Sequence, residues 1–200
     1  MNSRIKNIFR QLNFGKKWRA GFSLVETLVA IFILSVSVVA PLSLAQKGLN
    51  SSIYARDQVT AFNLSQEAIE YVRNVRDSNG LGDREWLRNL DDCLNQECGV
   101  DTTAPNGRQI ISCARDSKNC ELTFNPSTGI YGERREGNGN PSPGWQNSIF
   151  RRTVRITLSS TGGNNLDEAN VASTVSWKTG NIQRSFVINE KLFNWLSPTP

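Results

Sequence analysis

A long apolar run near the N-terminus is the feature that most constrains how this chain can fold. The 24 residues from Phe22 to Ala45 contain one charged side chain, Glu26. As a helix they span about 36 Å, enough to cross a hydrocarbon core of about 30 Å. A carboxylate inside a bilayer costs about 2.5–3.5 kcal/mol even on a lenient insertion scale. The presence of Glu26 in this run therefore needs a physical reason.

The basicity of the chain is concentrated before this run. Six of the 23 Lys and Arg residues precede Gly21, with no acidic residue among them: Arg4, Lys6, Arg10, Lys16, Lys17 and Arg19. Removing these six leaves 17 basic residues against 18 acidic ones, so the chain after Gly21 is close to neutral. The positive-inside rule places the leader in the cytoplasm and everything after Ala45 outside. The basic residues thus indicate topology, and no nucleic-acid partner is expected.

Gly21, Phe22 and Glu26 form a recognisable pattern in the stretch Gly21-Phe-Ser-Leu-Val-Glu-Thr-Leu. A basic leader ending in Gly, then Phe, then Glu at the fifth position of an apolar helix, resembles the type III signal of type IV pilins and type II secretion pseudopilins. The resemblance implies that a prepilin peptidase cuts between Gly21 and Phe22 and that the new amine of Phe22 is methylated. It also implies that Glu26 pairs with the Phe22 amine of a neighbouring pilin or pseudopilin subunit.

Two alternative interpretations of this region require no neighbouring subunit. Ser23 and Glu26 have the S-x-x-E spacing of a capping box, and a Glu in the first turn also suits the helix dipole. Separately, Ser43-Leu44-Ala45 carries small residues where an ordinary signal peptidase cuts, so the run could be a cleaved secretory signal. Such a signal would contain Glu26 and would exceed the usual apolar length of 7–15 residues.

The helical pattern continues beyond the apolar run. Ala61, Leu64, Ala68, Val72 and Val75 recur at spacings of three and four, which predicts an amphipathic helix ending near residues 78–80. Pro41 lacks a backbone donor and crowds the carbonyl of Ser37, so it predicts a kink in the helix.

Strand patterns dominate the second half of the chain. Short strands are predicted at residues 109–113 and 120–124, a longer alternating strand from Phe150 to Leu158, and a hairpin around residues 179–181. Arg152 is the exception in the alternation of the long strand, and the Trp residues 86, 145, 177 and 195 are expected in the core. The fold class is therefore α+β, a long N-terminal helix packed on a small antiparallel sheet. The expected divisions are a leader (1–21), a membrane-spanning helix half (22–45), an amphipathic half (46–79), an extracytoplasmic domain (80–196) and a tail (197–200).

Four cysteines, Cys93, Cys98, Cys113 and Cys120, lie in the part expected outside the cytoplasm. An even number in an oxidising compartment predicts two disulfides. Short loops close more easily, which favours Cys93–Cys98 with Cys113–Cys120, while nested pairing stays open. A zinc site is the alternative, although the spacing of Cys113 and Cys120 is wide for one. No metal or cofactor is expected.

The function expected from these patterns is structural. The chain has no histidine, and no nucleophile–base or paired-carboxylate arrangement is visible, so an enzyme is not expected. The basic pairs Arg134-Arg135 and Arg151-Arg152 are interpreted as solvated strand residues. A structural subunit, either a minor pilin of a type IV pilus or a pseudopilin of a type II secretion pseudopilus, is predicted. It would be anchored once in the inner membrane and then built into a surface or periplasmic filament. The alternative is a single-pass anchor that displays a binding domain and forms no filament.

Overall fold

The computed structural model describes residues 21–104, 109–114, 120–136, 139–159 and 167–195. The leader ahead of Gly21, with its six basic residues, and the tail at 197–200 lie outside these ranges. The chain divides into two compact units, Met1–Asn50 and Ser51–Pro200.

One long helix precedes all the strands, which confirms the predicted α+β class. Helix α1 runs Leu24–Leu81, one residue beyond the predicted end, and a short 3-10 helix follows at Asp91–Cys93. The strands of the described residues are β1 (Cys98–Val100), β2 (Ile110–Ser112), β3 (Glu121–Asn125), β4 (Ile130–Gly132), β5 (Gln146–Ser159), β6 (Glu168–Thr179) and β7 (Ile182–Phe193).

The sheet is built around β5, the longest strand. Its pairing with β6 runs from Phe150↔Trp177 to Ser159↔Glu168, while β1 and β3 also pair with β5. All of these pairings are antiparallel, as are those of β2 with β1 and β4 with β3. Strands β6 and β7 form the predicted hairpin through Gly180 and Asn181, and Gly180 takes the positive φ of 61° that a two-residue turn favours.

The apolar stripe of the second half of α1 forms the core together with the inner face of this sheet. Ala61, Leu64, Ala68 and Val72 are buried, as the three- and four-residue spacing predicts. They pack in two clusters, one with Val154, Ile156, Val171 and Leu192, the other with Leu122, Phe150, Val175 and Trp177.

The prediction that all four Trp residues belong to the core is only partly right. Trp86 and Trp177 are buried and Trp145 is half-buried, but Trp195 is 60% exposed. Side chains alternate along β7, so Leu192 faces the core while Phe193 lies on the opposite face. Trp195 follows the end of that strand.

The interpretation of Arg152 as a solvated strand residue is wrong, because its side chain is completely buried. Its guanidinium donates to the carbonyl of Leu64 (3.1 Å), to the carboxylate of Glu67 (3.0 Å) and to the carbonyl of Val100. Leu64 and Glu67 lie on α1, Val100 on β1 and Arg152 on β5. One side chain therefore fastens the helix to two strands with charge-assisted hydrogen bonds.

A buried carboxyl group lies in the same region. Both carboxyl oxygens of Glu133 are buried, and neither receives a hydrogen bond of ordinary geometry from the described residues. Burial raises the pKa of Glu133 to about 7, with Asp101 adding to the rise; Arg152, the Cys120 backbone and Arg135 oppose it. A Cβ atom at residue 99 would collide with this carboxyl, so Gly99 leaves the room that it occupies.

Replacing Arg152 with Met should destabilise the part of the chain from Ser51 onward by about 1.5–3 kcal/mol, because the hydrogen bonds of the buried guanidinium to the Leu64 and Val100 carbonyls and to the Glu67 carboxylate are lost. Arg155→Met is the matched control, since Arg155 is an exposed residue of the same strand and should change stability by less than about 0.5 kcal/mol. Urea unfolding of the full chain in detergent, followed by tryptophan fluorescence, measures both. If both variants change the free energy of unfolding equally, the buried hydrogen bonds of Arg152 do not contribute to stability.

The stability of the chain should fall as pH rises from about 4.5 to about 7. The pKa of Glu133 is higher in the folded than in the unfolded chain, so the folded state holds a proton that the unfolded state has released. The loss through this window should be about 3 kcal/mol for this group. Glu133→Gln mimics the neutral form and should remove that part of the pH dependence. If the free energy of unfolding changes equally with pH in the parent and in Glu133→Gln, the raised pKa of Glu133 is wrong.

Candidate assembly segment

Glu26 lies in the first turn of α1, and Phe22 lies two residues before the helix begins. All the residues of 21–50 are exposed, and large apolar side chains are among them, including Leu24 (76%), Phe32 (69%) and Leu44 (68%). We call residues 22–45 the apolar segment. An apolar surface of this extent is stable only against lipid or against other apolar helices.

The hydroxyl groups of the apolar segment are satisfied within the helix itself. Thr27 and Ser43 donate to carbonyls three residues earlier, and Ser35 and Ser37 to carbonyls four residues earlier, at distances from 2.6 to 2.9 Å. In a medium without water, such internal bonds avoid the cost of unpaired polar groups. These four side chains therefore do not conflict with a lipid environment.

Glu26 differs from these hydroxyl groups. Its backbone N–H donates to Oγ of Ser23 at 3.3 Å, and the N–H of Thr27 donates to the Ser23 carbonyl at 3.2 Å. Ser23 is thus the N-cap of the helix. The reciprocal bond of a capping box, from the Ser23 N–H to the Glu26 carboxylate, does not form, and within residues 21–104 no side chain pairs with that carboxylate. The capping box is half formed, and the carboxylate is left for another partner.

Pro41 lies inside α1, and the helix continues through it. Because Pro has no N–H, the carbonyl of Ser37 loses its usual helical donor. The Ser43 hydroxyl donates to the carbonyl of Ala40, one residue before the proline, at 2.9 Å. The predicted kink at Pro41 stays a prediction.

The four cysteines form two disulfides in the structure. Cys93 pairs with Cys98 and Cys113 with Cys120, with Cα–Cα distances of 4.9 and 5.8 Å, both in the ordinary range. These are the local pairings that loop closure favours. With all four sulfurs in disulfides, none is a thiolate for zinc. The Cys93–Cys98 bridge joins the 3-10 helix to the start of β1, both in the buried core.

One comparison with known proteins bears on the N-terminal region. A family model described as the prokaryotic N-terminal methylation motif matches residues 19–40, which include Gly21, Phe22 and Glu26. No curated protein and no solved structure matches the chain. Helix α1 contains a stretch long and apolar enough to cross a membrane, and with the motif it indicates membrane anchoring. The resemblance seen in the sequence is confirmed: residues 19–40 are the leader signature of type IV pilins and pseudopilins.

Proposed function

We propose that this protein is a structural subunit of a type IV pilus or a type II secretion pseudopilus. The observation that carries the proposal is the methylation motif at residues 19–40, placed directly at the start of an uncovered apolar helix. The motif supplies a defined N-terminus, and the helix supplies the surface through which subunits can pack. Proteins that carry this type of motif are structural rather than enzymatic.

The proposed life of the subunit begins in the inner membrane. The basic leader stays in the cytoplasm, the apolar segment spans the bilayer, and residues 46–196 lie outside, as an amphipathic helix half (46–79) followed by the globular domain (80–196). A prepilin peptidase removes residues 1–21 and the amine of Phe22 is methylated. Other pilin or pseudopilin subunits then replace lipid around the apolar segment, and the protein leaves the membrane as part of a filament.

Glu26 has a specific role in this scheme. A carboxylate and an amine entering an apolar environment each carry a desolvation cost, which is recovered only when they meet in good geometry. The Glu26 carboxylate has no partner within residues 21–104, so the Phe22 amine of an adjacent subunit can take that position. Pairing of this kind would set the register between neighbouring helices, because only one axial offset brings the two groups together.

Cleavage after Gly21 is the first expected result. The protein purified from membranes should begin at N-methylated Phe22, and cells lacking prepilin peptidase activity should retain the leader. Intact-mass measurement and N-terminal sequencing identify both ends. A mature chain that begins at Gln46 would indicate an ordinary secretory signal, and an intact Met1 in normal cells would favour the simple anchor.

Substitution of Glu26 should impair assembly without impairing insertion. Glu26→Ala removes a charge from the apolar segment, so insertion should be unchanged or easier. A neighbour's amine left unpaired would cost about 3–5 kcal/mol, enough to reduce filament recruitment more than a hundredfold. Glu26→Gln should fail like Glu26→Ala if charge pairing is the role, but should assemble if helix capping is the role, because Gln also serves in a capping box.

Recruitment is measured as the amount of each variant in sheared or purified filaments at equal membrane abundance. Ser35→Ala is the control within the same segment, since the Ser35 hydroxyl bonds only to its own helix, and it should assemble normally. If both Glu26 variants assemble like the parent, the intersubunit role is wrong and the non-filament anchor becomes the better explanation.

A further inference from the structure

A polar cleft lies in the part of the chain from Ser51 onward. It has a volume of about 650 Å³, within the range of about 300–1,000 Å³ typical of small-ligand sites. The end of α1 forms one wall, the loop that follows α1 and leads into the 3-10 helix forms another, and the start of β2 completes the lining. The cleft has no part in the filament contacts proposed above, which involve the apolar segment.

The side chains that line the cleft have unused hydrogen-bonding capacity. Besides Tyr71, Asn79 and Arg84, six polar residues contribute to the lining: Asn74, Ser78, Asn89, Asp91, Asp92 and Gln109. None of the side chains of these six hydrogen-bonds or ion-pairs with another described residue. Asn79 is buried, and its amide donates to the carbonyls of Trp86 (3.3 Å) and Arg88 (2.8 Å). The cleft thus presents amide, hydroxyl and carboxylate groups together, free to bind a ligand.

The loop wall is held rigidly in place. The Asn79 amide fixes the backbone at Trp86 and Arg88, the side chains of Leu87 and Leu90 are buried in the core, and Cys93 is tied to Cys98. Asn89 lies between these anchors with a φ of 69°, a left-handed conformation that non-glycine residues adopt infrequently. Backbone anchored on both sides of Asn89 fixes the direction in which its side chain leaves the loop, which lowers part of the entropy cost of binding.

The chemistry of the lining favours a neutral ligand rich in hydroxyl groups. Amides and carboxylates offer paired acceptors and donors in a plane, a geometry that matches adjacent hydroxyl groups on a ring. The Tyr71 phenol also lines the cleft and can donate a hydrogen bond through its O–H. Asp91 and Asp92 against Arg84 make the cleft net negative, which disfavours an anionic ligand. No group of three or more His, Cys, Asp or Glu suited to a metal occurs among the described residues.

We propose that this cleft binds a neutral saccharide of one or two sugar units. Selectivity would come from hydroxyl groups that complete the hydrogen bonds of Asn74 on α1 and of Asn89, Asp91 and Asp92 on the loop wall. Apolar molecules would leave these groups unpaired and would be rejected. The cleft would therefore let an exposed domain hold a glycan whether or not the chain is part of a filament.

The test uses the full chain in a non-glycosidic detergent, so that no sugar is introduced with the micelle. Labelled protein is applied to an array of neutral saccharides that includes glucose, maltose, cellobiose, lactose and N,N′-diacetylchitobiose, and titration calorimetry then measures affinity for the strongest binder. Asn89→Gly removes the amide while suiting the positive φ, so it should not disturb the loop. Asn95→Gly is the matched control, because Asn95 also has a positive φ (58°) and is exposed, but does not line the cleft.

The parent and Asn95→Gly should bind the same sugar with equal affinity, and Asn89→Gly should bind it about 3- to 10-fold more weakly. Asn74→Ala, on the opposite wall and at an exposed helix position where Ala is well tolerated, should weaken binding to a similar extent. The proposal is overturned if no sugar binds at millimolar concentration, if Asn89→Gly and Asn95→Gly behave alike, or if Asn74→Ala leaves the affinity unchanged.

Discussion

The structure depends on one helix that carries two different surfaces. From Leu24 to Asn50 its side chains are exposed on every face, and from Ala61 to Val72 an apolar stripe packs on the inner face of the sheet. Sequence spacing creates the difference, because the apolar segment (22–45) is apolar on every face apart from Glu26, while residues 61–72 are apolar at intervals of three and four. A helix that is apolar all round needs lipid or partner helices to cover it, whereas the amphipathic stretch is covered by its own sheet. The apolar segment is therefore stable only in contact with lipid or with other apolar helices. The amphipathic stretch and the sheet cover each other's apolar surfaces within one folded domain.

Two charges in apolar surroundings are resolved in different ways. Arg152 is buried in the sheet domain, where Glu67 and the carbonyls of Leu64 and Val100 meet its guanidinium. Glu26 lies in the apolar segment, and its carboxylate has no partner within residues 21–104. The charge of Arg152 is paired within the chain, and its hydrogen bonds stabilise the fold. The charge of Glu26 has no such partner within the chain's described N-terminal residues, and the proposed pairing with a neighbour's amine would supply one.

Sequence patterns predicted the elements whose periodicity is long and regular. The buried stripe of α1 and the β6–β7 hairpin follow from spacing and from the turn at Gly180. The three-residue strands β1 and β4 were not predicted, because so short a segment has no measurable alternation and forms only where a neighbouring strand accepts it. Arg152 was misinterpreted for a related reason. Its partners lie on α1 and β1, 52 or more residues away in the sequence, and a local pattern cannot predict such contacts. The N-terminal motif was recognised because its residues are adjacent in the sequence, whereas the proposed partner of Glu26 belongs to a second molecule.

The half-formed cap at the start of α1 bears on why a glutamate occupies position 26. The bond observed there runs from the backbone N–H of Glu26 to the hydroxyl of Ser23, and any residue other than proline would supply that N–H. The remaining local benefit is the attraction between the carboxylate and the helix dipole, worth about 0.3–1 kcal/mol at an exposed site. That benefit is smaller than the cost of about 2.5–3.5 kcal/mol for a carboxylate at the centre of a bilayer. Helix capping and the dipole would therefore not offset this cost at that depth, whereas the proposed pairing with a neighbour's amine, worth several kcal/mol, would.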